Sequence, residues 1–365
     1  MVSDRRRPAP TLFYNANVKT WDVIIVGGGI IGLSLARELR KRSASVLVVE
    51  RGMPGREASH AAAGMLAASE GELPAALQPF AQASFRMYPD FVHELQDETG
   101  VDVDLRREGA LVFAESALPG PALTAAEAGE FEPSLAAQNR IAALLPEASV
   151  DPRALVSAAL QGCKHRGVDT SSGDKVTSVD LDNGRVAGVS TVKTRFAAPV
   201  VVNCAGAWSG QLPPCSFPTR PVKGQMLALA MPRKDLIRHV IRTPEVYLVP
   251  RTDGRLLIGA TLEESGYDKR VDPEVIHRFH QAAIQLVPAL HDARILEDWA
   301  GLRPGTPDSL PILGATRVSG YFVATGHFRD GILLTPATAK AMAQVVSREA
   351  CAYDLQPFSP QRFES

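Results

Sequence analysis

Between Val23 and Glu50 the spacing of apolar positions changes character twice. Residues 23–26 form an unbroken β-branched run without polar alternation, which predicts a strand of a parallel sheet buried on both faces. Residues 30–42 carry apolar side chains at helical spacing, and residues 46–49 return to an unbroken apolar run closed by Glu50. Strand, helix and strand in that order predict a βαβ unit. Further on, Gln78–Thr99 places Phe85, Tyr88, Phe91 and Leu95 near one helical stripe, predicting a core-facing helix. Asp151 before Pro152 predicts a capped helix start. Asn183-Gly184 and Asp253-Gly254 predict hairpin turns, and the apolar run in "APVVVNCAGAWSG" predicts another buried strand ending in a small-residue turn. The helical spacing over Pro273–Leu286 is followed by a strand at residues 321–324, a glycine-flanked loop and a last helix.

The break between the first strand and helix carries the chemistry. Gly27, Gly29 and Gly32 stand at G-x-G-x-x-G spacing, which permits a tight turn, a close approach of backbone to a pyrophosphate, and tight helix–strand packing. The helix beginning at Ile30 points its positive end at such phosphates. Glu50 is placed to accept hydrogen bonds from ribose hydroxyls and to repel a 2′-phosphate, which disfavours NADP and leaves NAD and FAD open. The order of elements then discriminates. A contiguous NAD-binding half completes its parallel strands in sequence. Here antiparallel strands intervene, and dinucleotide-type strands return near residues 200 and 321, an assembly suited to the longer FAD.

Composition narrows the picture further. The 365 residues suffice for two domains, and a net charge of −1 with 22% charged residues carries no nucleic-acid signature. The scattered Cys163, Cys204, Cys215 and Cys351 argue against a zinc site or disulfide framework and fit a reducing cytoplasm. No apolar run reaches the roughly eighteen residues that a membrane span needs. Residues 1–20 are basic and proline-containing without an apolar centre, and read as a loosely held tail.

The stretches "VGGGIIG", "SHAAAGML", "NCAGAWS", "VYLVPRTDGRLLIGAT", "WAGLRPGTPDSLPILG" and "GHFRDGILLTPAT" together resemble the FAD-dependent glycine oxidases of the D-amino-acid-oxidase superfamily, from Asp22 to about Val346. That resemblance implies an α/β fold with a glutathione-reductase-type FAD domain and a smaller mixed or antiparallel sheet over the flavin. The expected division is a FAD-binding domain at residues 21–85, 140–220 and 300–350, a substrate domain at 86–139 and 221–299, and a tail at 351–365. It implies oxidative deamination of glycine, sarcosine and small D-amino acids with O2, giving imino or keto acid, ammonia and H2O2, in a homo-oligomer of the homotetramer kind. In bacteria such an activity feeds the thiazole half of thiamin.

Hydride transfer from an amino-acid Cα to flavin N5 needs orientation more than a general base, and arginine is the natural grip for the carboxylate. Arg303, expected in a loop after a strand, aligns with the family's carboxylate-binding arginine. Tyr247 matches a tyrosine lining the substrate pocket, and Arg329 an arginine near the active site. For the cofactor, Gly27, Gly29, Ile30 and Gly32 are expected at the pyrophosphate and Glu50 at the ribose. Ala61, Gly64 and Met65 are expected along the flavin, Val176 at the adenine edge, and Ala205 and Gly206 near the ribityl chain. Backbone N–H groups of Arg329, Asp330, Gly331 and Ile332 are expected to face the flavin pyrimidine, with Asp330 standing where the family suggests asparagine. His277 and His280 read as a solvated helix face rather than metal ligands, and His327 as structural. No cysteine lies at residues 298–310, where related sarcosine oxidases attach flavin, so FAD is expected to be non-covalent. Two rivals stand beside this reading: a D-amino-acid dehydrogenase passing electrons to a quinone or carrier, and a non-catalytic FAD-binding redox protein.

Overall fold

In the computed structural model, which describes residues 19–69, 73–115, 118–138 and 140–363, all four residues of Val23–Val26 are buried inside a six-stranded sheet. The expected N-terminal tail lies outside the described residues except for Lys19 and Thr20, the latter bridged to Ala197. The sheet runs in the order Ile312–Ala315, Tyr321–Thr325, Val200–Asn203, Val23–Val26, Val46–Glu50 and Asp169–Ser172. All neighbours are parallel except the first pair. Burial on both faces explains the missing alternation. Val23, Ile25, Val46 and Val48 pack into a helical layer, whereas Ile24, Val26, Leu47 and Val49 pack against the antiparallel strands Val176–Asp182 and Arg185–Thr191. Each such aliphatic side chain removed from water contributes about 1.5–3 kcal/mol.

The helix after the glycine loop is Ile30–Arg40, two residues shorter than expected. The Lys41 N–H closes on the Arg37 carbonyl at 3.1 Å, and Ser43 then takes a left-handed φ of 62° that turns the chain into the next strand. This helix packs on Pro152–His165 and on the last helix, Thr335–Val346. Asp151 caps the former as expected, accepting from the N–H groups of Arg153 (2.8 Å) and Ala154 (3.3 Å). The Asn183-Gly184 turn has both residues at positive φ, 49° and 77°, as a type I′ hairpin requires.

A second, seven-stranded sheet follows the order Ile295–Gly305, Arg220–Ala230, Arg255–Gly259, Tyr247–Pro250, Val240–Arg242, Ala110–Ala114 and Ile141–Leu145. Its one face carries Leu227, Leu229, Leu256 and Ile258 against the helix Pro273–Leu286. The alternate residues Met226, Ala228, Val249 and Leu257 face the segment around Ala63 and Met65. Period-two alternation thus puts helix on one side and the cleft between the two sheets on the other.

The expected division of the chain needs four corrections. Gln78–Thr99 is one helix packed on Pro152–His165 and Thr335–Val346, so residues 86–99 belong with the first core. Ile141–Leu145 is an edge strand of the seven-stranded sheet, where it pairs with Ala110–Ala114. Ile295–Gly305 is the other edge, so Arg303 stands within a strand, opposite Val222, and not in a loop. Residues 351–363 are a docked segment rather than a tail: Phe358 is buried with its ring 5.3 Å from that of Phe80, and Arg362 pairs with Asp308 at 2.7 Å.

Candidate active site

A cleft of about 420 Å³ runs from the glycine loop to the inner face of the seven-stranded sheet. At one end Gly27 has φ +110°, and a Cβ there would stand 2.4 Å from the Cys204 carbonyl oxygen. A Cβ on Gly32 would lie 2.1 Å from the Gly27 carbonyl oxygen, which no backbone can tolerate unmoved. Gly27 and Gly32 are therefore required by the close packing of strand, turn and helix, whereas a Cβ on Gly29 would meet only Ser59 Oγ at 3.3 Å. The Ile30 N–H is held by Ser59 Oγ at 3.0 Å, a cleft residue that lies inside the quoted "SHAAAGML" yet was not singled out by sequence. Glu50 is buried and lines the cleft. Its carboxylate accepts from the N–H of Gly28 at 2.8 Å and of Gly52 at 2.9 Å. The acid thus fixes the glycine turn while its side chain borders the cleft. Glu50→Gln turns one acceptor into a donor facing an amide, and FAD affinity should fall about tenfold or more. Flavin fluorescence titration of the apoprotein checks this, while turnover at saturating FAD should stay near wild type.

Val176 begins a strand and lines the cleft between Lys175 and Thr177. Ala205 and Gly206 line it too, with the Ala205 N–H donating to Asn203 Oδ1 at 3.1 Å and Gly206 at φ +55°. Ala61, Gly64 and Met65 border its far half. For Ala61 and Gly64, packing within the protein accounts for the small size. The Ala61 Cβ sits 2.3 Å from where a Cβ on Gly301 would be, and a Cβ on Gly64 would meet the Val150 carbonyl oxygen at 1.9 Å. This segment is pinned by Trp299 Nε1–H to the Ala61 carbonyl (3.1 Å), by the buried Arg251 to the Ala63 carbonyl, and by the Val150 N–H to the Gly64 carbonyl (2.8 Å).

The loop after Thr325 meets this end. Arg329, Gly331 and Ile332 line the cleft, whereas the Asp330 N–H is directed to the His327 carbonyl at 2.9 Å and is thereby withdrawn from the expected flavin-facing set. Phe328 takes φ +47° and donates its N–H to the Pro304 carbonyl at 3.0 Å. His327 is buried with Nε2 3.2 Å from Thr338 Oγ1, and burial drives its pKa down to about 3. It stays neutral at working pH. Because the folded pKa lies below the unfolded value, His327 favours the fold fully above about pH 6.5, and that contribution is lost as pH falls toward 3. His327→Gln should flatten the acid limb of a Tm-against-pH series over this window. An unchanged slope would remove His327 from the account.

Arg303 and Tyr247 close the site. The Arg303 guanidinium lies over Gly224, where a Cβ would stand 2.3 Å from Nη1. Nη1 donates to the Thr261 carbonyl at 3.0 Å, and Tyr247 lines the same end of the cleft. Among the described residues no carboxylate forms an ion pair with it. Desolvation lowers its pKa, which remains that of a cation at neutral pH. Burial raises the Tyr247 pKa, so the phenol keeps its proton and donates to Met226 Sδ at 3.2 Å. Arg329 is exposed at the rim, its guanidinium 5.4 Å from the Phe328 ring centroid. The cleft therefore has a glycine-cradled end for an anionic dinucleotide and a desolvated cation at the other. Arg51, Trp208 and Gln211 also line it, and no local spacing in the sequence marks them.

A parallel nucleotide-type sheet with helices on one face, lying under a mixed, mostly antiparallel roof sheet and sharing one cleft with it, is the arrangement of a flavoprotein oxidoreductase. The family model described as FAD dependent oxidoreductase (DAO) matches residues 22–345, and the chain belongs to that family. FAD is its cofactor, and the glycine cradle with Glu50 fits that group. The chain is 36% identical to a glycine oxidase of Geobacillus kaustophilus, over 94% of this chain and 97% of the relative. A crystal structure of glycine oxidase from the same organism matches with a TM-score of 0.89 and 35% identity, covering 94% of this chain and 99% of that one. The chain is also 37% identical to a bifunctional ThiO/ThiG protein of Synechocystis, over 94% of its own length but only 54% of the relative's. It thus spans about half the length of the bifunctional relatives it matches. Among the described residues no helix is long and apolar enough to cross a membrane.

Proposed function

We propose that the protein oxidises glycine and other small amino acids, including sarcosine and small D-amino acids, working as a cytoplasmic homo-oligomer with O2 as acceptor. The observation that carries this reading is Arg303, a partly buried cation at the cleft that forms no ion pair with a carboxylate among the described residues. The chemistry that bound FAD supplies is acceptance of the hydride leaving the substrate Cα, with return of both electrons to O2 as H2O2. Arg303 binds the substrate carboxylate through two parallel charge-assisted hydrogen bonds, which fixes the direction of Cα. Tyr247 keeps its hydroxyl proton, and on substrate binding that proton turns from Met226 Sδ to the carboxylate. The roof sheet excludes water and so strengthens the ion pair. No residue has to abstract a proton for the C–H bond to break, which agrees with a neutral, buried His327. The imino product hydrolyses to a keto acid and ammonia (methylamine from sarcosine), or that of glycine passes intact to thiazole synthesis for thiamin. The similarity to ThiO/ThiG proteins supports the second fate.

The test is anaerobic mixing of purified protein with glycine, sarcosine, D-alanine and D-proline. The yellow flavin absorption should bleach, and admission of air should restore it with stoichiometric H2O2. Bleaching without peroxide would shift the reading to a dehydrogenase with another acceptor. Failure of every amine to bleach the flavin would favour a non-catalytic redox protein. Acid precipitation should leave FAD in the supernatant, since the cleft-lining Cys204 is buried with its thiol pushed up to about 12, a poor nucleophile for flavin attachment.

A further inference from the structure

Residues 261–272 leave the roof sheet, reach the rim of the nucleotide cleft and return. Both ends of this excursion are tied by one buried side chain. Gln225 donates through Nε2 to Glu263 Oε1 at 2.8 Å and accepts at Oε1 from the Asp272 N–H at 2.6 Å. A dozen residues with joined ends form an Ω-loop. From it Tyr267 stacks on Trp208, ring centroids 5.3 Å apart at 28°. The Tyr267 hydroxyl donates to the Ala207 carbonyl at 3.0 Å and accepts from Gln211 Nε2 at 2.9 Å. Lys269 pairs with Glu57 at 3.0 Å, and Glu57 also pairs with Arg51 at 2.6 Å. The Arg51 guanidinium in turn lies 3.4 Å from the Trp208 ring centroid. Arg51, Glu57, Trp208 and Gln211 all line the cleft, on the side of Glu50. At its other end the same loop supplies the Thr261 carbonyl that accepts from Arg303.

We propose that Arg51, Trp208 and Tyr267 form a clasp that retains the adenosine half of FAD, and that the loop carrying Tyr267 makes retention depend on occupancy of Arg303. The first half stands on the clasp contacts alone; the second rests on the carboxylate reading of Arg303. A carboxylate that draws Arg303 into a fixed pose also fixes Thr261, and through it the docked loop. Reciprocity requires that FAD binding then favour the carboxylate by the same factor.

The experiment follows FAD release from the holoenzyme by the rise in flavin fluorescence after dilution, with and without acetate as the carboxylate probe. Tyr267→Ala loses a ring stack and two hydrogen bonds and should release FAD about tenfold faster. Lys269→Ala, on an exposed side chain that leaves the core untouched, should speed release about two- to threefold. Unchanged release in both variants would overturn the clasp. Acetate binding is read separately, as a perturbation of the flavin absorption. In wild type saturating acetate should slow release several-fold, and in Tyr267→Ala it should not. Acetate that perturbs the spectrum yet leaves wild-type release unchanged would overturn the coupling. Acetate that perturbs nothing would overturn the carboxylate reading of Arg303, and the coupling with it.

Discussion

Arg303→Ala is expected to lower kcat/KM for glycine about 30-fold to several-thousand-fold while leaving the flavin spectrum and FAD affinity near wild type. The magnitude follows from removing one partner of a desolvated, hydrogen-bonded charge pair, about 2–5 kcal/mol. The lower end applies if water enters the vacated space and solvates the substrate carboxylate. The upper end applies if the roof keeps it dry. Arg303 lies on the edge strand Ile295–Gly305 and is held over Gly224 and by the Thr261 carbonyl, so its loss leaves the sheet register intact. An amine of similar size without a carboxylate should lose little, because it never used the clamp. Steady-state kinetics on glycine and on such an amine decide the matter, and equal losses on both would dispose of the assignment.

Gly32→Ala should cost the protein its cofactor. Its added Cβ falls 2.1 Å from the Gly27 carbonyl oxygen and 3.1 Å from Ile25 Cγ2. The first contact is with backbone that is itself fixed, since the Gly27 N–H donates to Val49 at 2.9 Å and Gly28 to Glu50 at 2.8 Å. Relief has to come from moving the helix off the sheet. Overpacking of this kind costs about 1–3 kcal/mol, and a displaced turn can no longer match a pyrophosphate. FAD Kd should rise about 10- to 100-fold, with a lower Tm. Gly129→Ala is the control. It lies in the helix Ala125–Phe131 with nothing within 4 Å of the added Cβ, and should leave FAD affinity unchanged. If Gly32→Ala bound FAD like wild type, the third glycine would not be a packing requirement.

What could be read from the sequence was what depends on neighbouring residues. The glycine turn, the Asp151 cap and the Asn183-Gly184 turn are each decided within a few positions, and each occurs as expected. Arg303 was legible as a residue type but not in its place. Gly301, Pro304 and Gly305 read as breakers, yet they lie in an edge strand, where a proline's missing donor is tolerated. The division at residue 85 cut a helix because apolar spacing identifies the buried face without saying which core receives it. Ser84 Oγ in fact donates to the Leu333 carbonyl at 2.7 Å, tying that helix to the flavin-end loop. Tyr267 and Trp208 are 59 positions apart and meet only through tertiary structure, which no local period encodes.

The placement of the last helix has a consequence for synthesis on the ribosome. Ile30–Arg40 packs along Thr335–Val346, and Val23–Val26 pairs with Val200–Asn203. The nascent N-terminal unit is partly covered once Pro152–His165 has emerged, but it waits for about three hundred further residues before its apolar helix face is fully covered, roughly 15–60 s at ordinary elongation rates. Throughout that interval Leu33 and Leu39, which are inaccessible in the finished fold, lack their C-terminal partners. Truncations upstream of Thr335, which leave part of that face uncovered, should therefore accumulate in the insoluble fraction.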